Sequence, residues 1–522
     1  MRAAIAAAML AVLGAALRSP LRQTSHRTLT SLRAAGDTIY ALSSGRGVAG
    51  VAVVRVSGPS ASDALAALTP GKPLPAHRVA SLRTLRDASD VLDEALVLRF
   101  EAPRSFTGED VVELHCHGGE ATVDGVLEAL DALPNLRAAD RGEFTRRAFA
   151  AGKLGLTEVE GLADLLAAKT APQRRQALAQ MGGSMERTYA RWRGELASLR
   201  ASAEVLVDFG DDVEGDVADQ SDDIRAALDA SVRSLKTELD AALTDAPRGE
   251  ATRDGVRVVL AGAPNAGKSS LLNAVAARDA AIVSQAAGTT RDVLEIGLSL
   301  GGLPARLFDT AGLRVDGEED SLDAVEIEGM RRAARAAEAA HVVVFVLDAA
   351  DDDASAVADA FRAIARVWRR DDGDPAPELV VVTNKADLVD DATHAARVAA
   401  LRAAAEAEGL GDVVAAAATV RASATAADGA AALVDDLERR VVAAFRSSRD
   451  DYEAPAITRA RHRTHVASCV ACLDAVLSDP DLMPELVAEE LRAATSDLGA
   501  VVGAVDTEQV LDVLFNDFCI GK

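Results

Sequence analysis

The stretch VRVVLAGAPNAGKSSLLNAV, residues 256–275, decides the fold class of the central part of this chain. Its apolar start predicts a buried β-strand, and its end predicts a helix that opens on Ser270. Between them stands the pattern G-x-x-x-x-G-K-S, which places Gly262, Gly267, Lys268 and Ser269. Glycines let backbone N–H groups turn inward toward phosphate, and the lysine and hydroxyl suit the terminal phosphates and Mg²⁺. The stretch therefore predicts a P-loop that binds a nucleotide.

Three later segments identify the nucleotide as one that contains guanine. FDTAG (308–312) follows a predicted strand, NKAD (384–387) follows LVVVT, and RASAT (421–425) is the later loop expected behind the base. A carboxylate at Asp387 accepts hydrogen bonds from guanine N1–H and the 2-amino group, which adenine does not offer. The predicted GTP-binding residues are Asn265, Ala266, Gly267, Lys268, Ser269, Ser270, Asp309, Thr310, Ala311, Gly312, Asn384, Lys385, Asp387, Ser423 and Ala424.

A first switch segment is predicted at AAGTTRD, residues 286–292. Thr290 in this segment is the expected second hydroxyl ligand of Mg²⁺, beside Ser269. After DTAG stands Leu313, where a Ras-like GTPase carries the glutamine that positions the attacking water. Another group must therefore orient water in this protein.

Composition limits the classes of function. The chain has 522 residues, which favours two to four domains, and a formal net charge of −25, which opposes nonspecific coating of nucleic acid. Four cysteines do not support a disulfide scaffold. An RNA substrate would need a local basic patch or a partner. RARHRTH (459–465) is such a basic run, and both an RNA or partner contact and a solvated helix face stay open for it.

The first 36 residues differ from the rest, with five arginines and no acidic residue before Asp37. This composition is typical of an organelle transit peptide and predicts a mitochondrial or plastid location. The apolar segment 3–17 also resembles the core of a secretory signal. A signal peptide followed by a transit peptide would explain both features. The segment is too short and too rich in alanine to predict a membrane span, and no stable membrane association is expected.

The remaining chain reads as a multidomain α/β protein. Residues 38–153 mix short strands at 50–58 and 94–100 with a helix at 124–133. Helical periodicity dominates from 156 to 245 and again from 456, whereas strands and helices alternate from 256 to 445. The acidic segment 208–223 is interpreted as a solvated break between helices. The preferred arrangement is a helical region interrupted by an α/β insert.

Several long segments, in order, resemble the tRNA modification GTPase family called MnmE or TrmE. They are TIYALSSGRGVAGVAVVRVSG, SFTGEDVVELHCHGG, GEFTRRAFAAGKLGLTEVEGLADLL, LVAEELRAATSDLGAVVGAV and the terminal FCIGK, besides the P-loop, GTTRD and DTAGLR. The resemblance covers residues 37–522. It implies an α+β folate-binding N-terminal domain, a discontinuous all-α helical domain and an inserted Ras-like P-loop GTPase domain.

The resemblance implies the following domain boundaries: a targeting peptide at 1–36, a folate-binding and dimerisation domain at 37–155, helical segments at 156–250 and 447–522, and a G domain at 251–446. The family implies a homodimer and a partner of the MnmG or GidA type that uses FAD, in a heterotetramer or larger assembly. Together they attach a carboxymethylaminomethyl or taurinomethyl group to carbon 5 of the wobble uridine of tRNA. The implied cofactors are GTP, Mg²⁺, K⁺ and 5,10-methylene- or 5-formyl-tetrahydrofolate.

The resemblance also implies site residues. Arg55, Glu113, Lys153 and Lys522 match the folate contacts of the family, and a folate offers carboxylates for cations and a pterin edge for a carboxylate. Cys519 would then lie beside the one-carbon unit, either as a nucleophile or as a packing residue. Potassium would be held by Asn265, Ser284, Ala286 and Thr289. Glu326 matches the family's water-orienting glutamate, while Glu318, Glu319 and Glu328 compete for that role.

Two other classes of function stand beside this one. A ribosome-assembly GTPase would carry a basic RNA-binding domain with a G-x-x-G loop, which the sequence lacks. A purely regulatory switch would hydrolyse GTP slowly and depend on an activating protein. Stimulation of hydrolysis by potassium but not sodium, without added protein, would separate the modification enzyme from the regulatory switch.

Overall fold

The computed structural model describes residues 37–210, 218–278, 295–309, 337–338, 340–369, 376–426, 430–445, 455–504, 508–518 and 521. The chain divides by its contacts into two units, Met1–Lys153 with Phe515–Lys522, and Leu154–Leu514. The residues that close the chain thus group with those near its beginning.

The N-terminal unit is built on one six-stranded sheet with the strand order β3-β4-β5-β2-β1-β6. Its elements are β1 (Thr38–Leu42), β2 (Ala49–Ser57), α1 (Ala61–Leu68), β3 (Ser81–Arg86), β4 (Val91–Phe100), β5 (Val111–Gly118), α2 (Glu120–Asp131), β6 (Leu136–Ala138) and α3 (Glu143–Ala150). The β1–β6 pair is parallel, and the other neighbours are antiparallel.

The two faces of this sheet have different surroundings. Ala52, Val54 and Val56 of β2 alternate toward one face, where they are buried in a core with residues of α1 and α2. Because side chains alternate along a strand, Arg55 belongs to the opposite face. Leu82 and Leu96 pair across β3 and β4 and keep 66% and 41% of their surface exposed. The second face is therefore partly apolar and open to solvent.

The second unit begins with long helices and continues into a strand–helix alternation. In chain order it contains α4 (Leu156–Ala167), α5 (Ala171–Met181), α6 (Ser184–Gly210), α7 (Ala218–Asp254), β7 (Val256–Ala261), α8 (Lys268–Arg278), β8 (Glu295–Leu300), β9 (Leu303–Asp309), β10 (Val342–Asp348), α9 (Ala354–Ala365), β11 (Glu378–Asn384), α10 (Asp391–Ala407), α11 (Gly411–Ala416), β12 (Ala418–Arg421), α12 (Ala431–Phe445), α13 (Ala460–Ser478), α14 (Pro484–Val502) and the start of α15 (Glu508–Asp517). Short 3₁₀ turns occupy Arg366–Arg369 and Ala386–Leu388.

One hydrophobic core joins helices from both sides of the strand–helix alternation. Leu196 of α6, Leu235 of α7, Leu473 of α13 and Leu491 of α14 all lie buried in a single cluster. Within α6, the buried residues Leu196, Leu199, Ala203 and Leu206 follow the apolar stripe that helical periodicity predicts. Helices far apart in sequence thus share one interior.

The strands of the second unit form a sheet of order β12-β11-β10-β7-β9-β8, in which β8 alone runs antiparallel to its neighbour. The valine-rich strand β10 is buried along Val342–Leu347, as expected for a strand covered on both faces. Loops that follow the carboxyl ends of parallel strands gather at one edge, where such sheets bind their ligands.

The predicted strands and helices are present with small shifts of their ends. The helix predicted at 124–133 is α2, at Glu120–Asp131, and the helical region does begin at 156. The predicted start of the G domain at 251 lies inside α7, which continues to Asp254. The limits of the domains remain predictions. Most of the acidic segment 208–223 has no described side chains, and residues 211–217 lie outside the described residues.

Candidate functional site

The phosphate loop lies between β7 and α8 in the second unit. The helix begins at Lys268, earlier than the Ser270 predicted from sequence, so the lysine and Ser269 belong to its first turn. Gly262 has a φ of +141°, and a Cβ atom there would lie 2.2 Å from the carbonyl oxygen of Val346. Only glycine fits this position, because the loop passes directly against β10.

The second glycine of the loop, Gly267, lies against Asn384, the first residue of the NKAD segment (384–387). Gly267 has a φ of +87°, and a Cβ atom there would lie 2.1 Å from Nδ2 of Asn384. The buried Asn384 side chain donates to the carbonyl of Ala266 at 3.0 Å, and its Oδ1 accepts the Ala424 N–H at 3.2 Å. One amide group therefore joins the phosphate loop to both loops predicted to hold the base.

Lys268 is positioned inside the loop. Its side chain is buried, and Nζ donates to the carbonyl oxygens of Gly262 at 3.0 Å and Ala263 at 2.7 Å. A buried ammonium group requires such partners, and a phosphate oxygen supplies the opposite charge that carbonyls lack. Asn265, in the left-handed region at a φ of +60°, is exposed beside it. The loop thus fits the phosphate end of a nucleotide.

The base end of the site is also assembled. Lys385 has a φ of +58°, and its ammonium group lies 2.5 Å from Oδ2 of Asp348, the last residue of β10. Asp387 follows in a 3₁₀ turn with an exposed side chain, and Ser423 is buried. An exposed carboxylate at this position is the kind of acceptor predicted for guanine N1–H and its 2-amino group. Asp348 was not predicted; its sequence signal is an aspartate at the end of an apolar strand.

Part of the predicted site lies outside the described residues. Asp309 ends β9 in register with Leu260 of β7, which brings its backbone to the same sheet edge, but its side chain is not described. The predictions that fall on undescribed residues are Ser284, Ala286, Thr289, Thr290, Thr310, Ala311, Gly312, Glu326, Cys519 and Lys522. Leu313, Glu318, Glu319 and Glu328 also lie outside.

In the N-terminal unit, Arg55 and Glu113 form an ion pair. They stand directly opposite each other on β2 and β5, and the guanidinium donates to Glu113 Oε1 from Nη2 at 2.8 Å and from Nε at 3.1 Å. The Arg55 guanidinium lies 5.5 Å from the ring centroid of Phe106 and 5.7 Å from that of Phe144. Oε2 of Glu113 lies 3.3 Å from Nε2 of His115. The structure thus brings two predicted folate contacts together on one sheet face.

Lys153 follows α3 and lies against the loop between β4 and β5, residues 101–110. Its Nζ donates to the carbonyl oxygen of Pro103 at 2.6 Å. A Cβ atom at Gly108 would lie 3.4 Å from Lys153 Cε, so the lysine stem covers this glycine. Since Phe106 belongs to the same loop, one short segment connects Lys153 to the surroundings of Arg55.

The end of the chain is docked on the N-terminal unit. The Ser43 hydroxyl donates to the carbonyl of Gly521 at 2.8 Å, and Gly521 has a φ of +99°. A Cβ atom at Gly521 would lie 2.1 Å from the carbonyl oxygen of Leu42. Phe515 is buried against Gly142, and the Arg146 guanidinium lies 4.9 Å from the Phe515 ring centroid. Residue 521 therefore lies against the end of β1.

Replacing Gly521 by alanine should release the end of the chain. The new methyl group would meet the Leu42 carbonyl, and the left-handed backbone would be strained by about 1–2 kcal/mol besides. We expect hydrogen exchange in residues 508–522 to become at least about tenfold faster, because 1.4 kcal/mol corresponds to a factor of ten. Gly152→Ala is the matched control, since Gly152 has a φ of +66° but nothing within 4 Å. Equal protection in both variants would contradict the docking.

The cations of the basic run at 459–465 have acidic partners within the second unit, which does not fit a purely solvated helix face. Arg461 and His462 contact the buried carboxylate of Glu160, at 2.8 and 3.0 Å. Arg459 and Arg253 both contact Asp164 Oδ1, at 2.8 and 2.9 Å. Farther along the run, side-chain pairs join 463 to 250 and 465 to 497. We call Glu160, Asp164, Arg253, Arg459, Arg461 and His462 the Glu160 network.

The Glu160 network has a defined protonation pattern. Thr458 N–H donates to His462 Nδ1 at 3.4 Å, which leaves Nε2 to donate to Glu160. Burial lowers the pKa of His462, which outweighs the opposite effect of Glu160, so the ring is neutral. Burial alone would raise the pKa of Glu160, but the interactions with His462, Arg459 and Arg461 hold it well below its ordinary value. The carboxylate is ionised and satisfied by neighbouring donors.

Sequence reasoning missed Glu160. The signal available was a single carboxylate between Val159 and Gly161, in a helix whose neighbouring positions Leu156 and Val159 are fully buried. A charged residue on the buried face of a helix requires a partner of opposite charge. The partners follow about three hundred positions later, which helical periodicity does not reveal.

The sheet edge, the phosphate loop and the guanine segment define a P-loop protein of the GTP-binding class. Comparison with known proteins narrows the class. The family model described as the MnmE helical domain matches residues 156–519, and that described as the GTP-binding protein TrmE N-terminus matches residues 38–153.

Relatives match the chain along most of its length. The tRNA modification GTPase MnmE of Parvibaculum lavamentivorans is 46% identical over 93% of this chain and 100% of its own. The mitochondrial 5-taurinomethyluridine-[tRNA] synthase subunit GTPB3 of Homo sapiens is 43% identical over 97% of this chain and 98% of its own. The MnmE of Caulobacter vibrioides is 44% identical over 93% and 100%. This chain therefore belongs to the MnmE (TrmE) family, which confirms the resemblance found in the sequence.

The length and hydropathy of each helix decide whether it could cross a membrane. Within the described part of the chain, each helix is too short or too polar to cross a lipid bilayer.

Proposed function

We propose that this protein hydrolyses GTP as one component of a two-protein enzyme that modifies carbon 5 of the wobble uridine of tRNA. The added group is carboxymethylaminomethyl or taurinomethyl. One observation carries the proposal: a phosphate loop joined through Asn384 to the segments predicted to hold guanine lies in a chain that matches, over 93–97% of its length, proteins named for tRNA modification. The arrangement proposed is a folate-binding domain, a helical domain of two segments and an inserted Ras-like G domain.

The nucleotide would be held by the residues at the sheet edge. Lys268 faces the loop interior and would bind the terminal phosphates, and Asn384 and Asp387 would hold the base. Mg²⁺ would be bound by Ser269 and Thr290, with Asp309 nearby, and would offset the phosphate charge. Glu326 would orient water in place of the glutamine absent at Leu313.

Potassium would be held by Asn265 together with Ser284, Ala286 and Thr289. The left-handed backbone and exposed side chain of Asn265 support this role, because the residue lies at the surface of the phosphate loop. The cation supplies positive charge that offsets the charge developing on the transferred phosphoryl group.

Folate would be held beside the Arg55–Glu113 pair. The two side chains keep only 16% and 18% exposure, and two phenylalanine rings line the guanidinium. Aromatic rings suit a flat pterin, and Glu113 suits its N–H donors. Lys153 and Lys522 would bind the glutamate carboxylates. Folate supplies the one-carbon unit, and Cys519 would lie near it because Gly521 docks on the same unit.

A homodimer would form through the open face of the N-terminal sheet. Leu82, Leu96 and Val51 are exposed by 66%, 41% and 56%, while α1 and α2 cover the opposite face. Burial of such residues against an identical face stabilises association by about 25 cal/mol per Å² of apolar surface. An FAD protein of the MnmG or GidA type would join this dimer, with tRNA as the substrate.

The protein would act in a mitochondrion or plastid, which the arginine-rich residues 1–36 support. The test is to locate the protein by microscopy and to measure the tRNA nucleosides of that organelle by mass spectrometry after its gene is removed. We expect the modified wobble uridine to disappear, with unmodified uridine in its place, and to return with the wild-type gene but not with a Lys268→Ala variant. An unchanged nucleoside pattern would contradict the proposed function.

A further inference from the structure

Three cationic side chains gather at the loop that follows β4. Lys153 Nζ donates to the carbonyl of Pro103 at 2.6 Å, and Arg78 Nη2 donates to the carbonyl of Arg104 at 3.2 Å. The Arg104 side chain itself is 65% exposed. Lys153 and Arg78 therefore bind the carbonyls of successive residues, the second of which is Arg104 itself. We call Lys153, Arg78 and Arg104 the loop cations.

The loop cations have little opposite charge around them. Glu101 lies 3.8 Å from the Arg104 guanidinium, but it lies closer to Arg99, at 3.1 Å. Among the described residues, no carboxylate lies within ion-pair distance of Arg78 or Lys153. Exposed cations without opposite charges attract anions. The loop cations therefore fit a ligand with more than one negative group.

The position of the loop indicates which anion. The Phe106 ring lies under the Arg55 guanidinium, and Gly108 is covered by the stem of Lys153. The loop of residues 101–110 therefore contacts Arg55 through Phe106, and it contacts Lys153 and Arg78 through the carbonyls of Pro103 and Arg104. A ligand that extends from the Arg55–Glu113 pair along this loop would reach these cations.

We infer that Arg78 and Arg104 bind the outer carboxylates of a polyglutamylated folate, so that the protein selects folates by the length of the glutamate chain. This inference rests on the proposed folate site. Each added γ-linked glutamate contributes one carboxylate, and an arginine guanidinium pairs with a carboxylate through two parallel hydrogen bonds. RNA phosphate is also an anion. Folate is favoured because Phe106, on the same loop as Arg104, contacts Arg55 of the proposed folate site.

The test compares 5-formyl-tetrahydrofolate carrying one glutamate with the same compound carrying five, by isothermal titration calorimetry on the full chain. We expect the wild type to bind the longer form about 5- to 10-fold more tightly, since each exposed ion pair contributes a few-fold. The double variant Arg78→Ala/Arg104→Ala should bind both forms alike, with one-glutamate affinity unchanged. Arg78→Lys/Arg104→Lys should restore part of the preference. Arg86→Ala removes an exposed arginine of β3 and should change nothing.

The other outcomes are distinguishable. Equal wild-type affinity for both forms would overturn this inference and leave the proposed folate site standing. No binding of either form would overturn the folate site and the inference with it. If the double variant keeps the preference but loses affinity for tRNA, the loop cations bind RNA phosphate, and the inference is wrong.

Discussion

Replacing Gly267 by alanine should lower the affinity for GTP by about 100-fold or more. The left-handed backbone disfavours any side chain, and the new Cβ would lie 2.1 Å from Asn384 Nδ2. Strain of about 1–3 kcal/mol is expected at such a position before the clash is relieved. Relief would displace the amide that joins the phosphate loop to Ala424. Titration with a fluorescent GTP analogue measures the loss.

The control for this variant is Gly409→Ala, in the same unit of the chain as Gly267. Gly409 also has a positive φ, +70°, but nothing lies within 4 Å of its would-be Cβ. It should keep the wild-type affinity, with only a small loss of stability. Lys268→Ala, which removes the ammonium without new contacts, should also lose binding. Equal affinities of Gly267→Ala and Gly409→Ala would contradict the role assigned to the Asn384 contact.

Replacing Glu160 by alanine should destabilise the helical core by about 3–5 kcal/mol, the effect expected when one partner of a buried ion pair is removed. The change leaves Arg461 and Arg459, with 20% and 15% side-chain exposure, without this carboxylate. The chain contains two tryptophans, and Trp192 lies in the helical core. In a Trp368→Phe background, urea unfolding followed by Trp192 fluorescence reports on this core.

Glu195→Ala is the matched control for the Glu160 variant. Glu195 pairs with Arg191 at 2.8 Å, but both side chains are 40–50% exposed. Exposed pairs contribute about 0–1 kcal/mol, so this variant should unfold near the wild-type urea concentration. A loss of equal size in both variants would show that burial of the network is unimportant.

The Glu160 network also makes stability depend on pH. Burial lowers the pKa of His462 below its ordinary 6.5. Just below pH 6.5, His462 is therefore protonated in the unfolded chain but stays neutral in the folded chain. The stability from this group is complete above pH 6.5 and declines as the pH falls. Glu160 acts in the same direction: its stabilisation is complete above its ordinary 4.5 and is lost as the pH falls toward its lowered folded value. His462→Gln should remove up to about 1.4 kcal/mol per pH unit of slope just below pH 6.5.

Much of the nucleotide site could be predicted from local sequence. The P-loop depends on glycines at fixed spacing between a strand and a helix, and Asn384 follows an apolar strand, so neighbours in sequence already determine these geometries. The predicted start of α8 was Ser270, but the helix begins two residues earlier, at Lys268. The Arg55–Glu113 pair was predicted only as two separate contacts. Their opposition depends on the register of β2 and β5.

A solvated helix face, one of the two interpretations of 459–465, does not fit the structure for a physical reason. Sequence shows the charges of this run but not the acidic residues that neutralise them, and Glu160 lies 302 positions from His462. In the same way, Ser43 and Gly521 are 478 positions apart, and only the folded chain places the carbonyl of one beside the hydroxyl of the other.

The sequence by itself determined the guanine-nucleotide class, the family and the alternation of sheet and helix, because each depends on residues close together along the chain. The tertiary structure alone decided which cations are neutralised, which glycines cannot accept a side chain, and where the end of the chain docks. These properties depend on contacts between distant segments, and such contacts form only when burial of the cores brings the segments together.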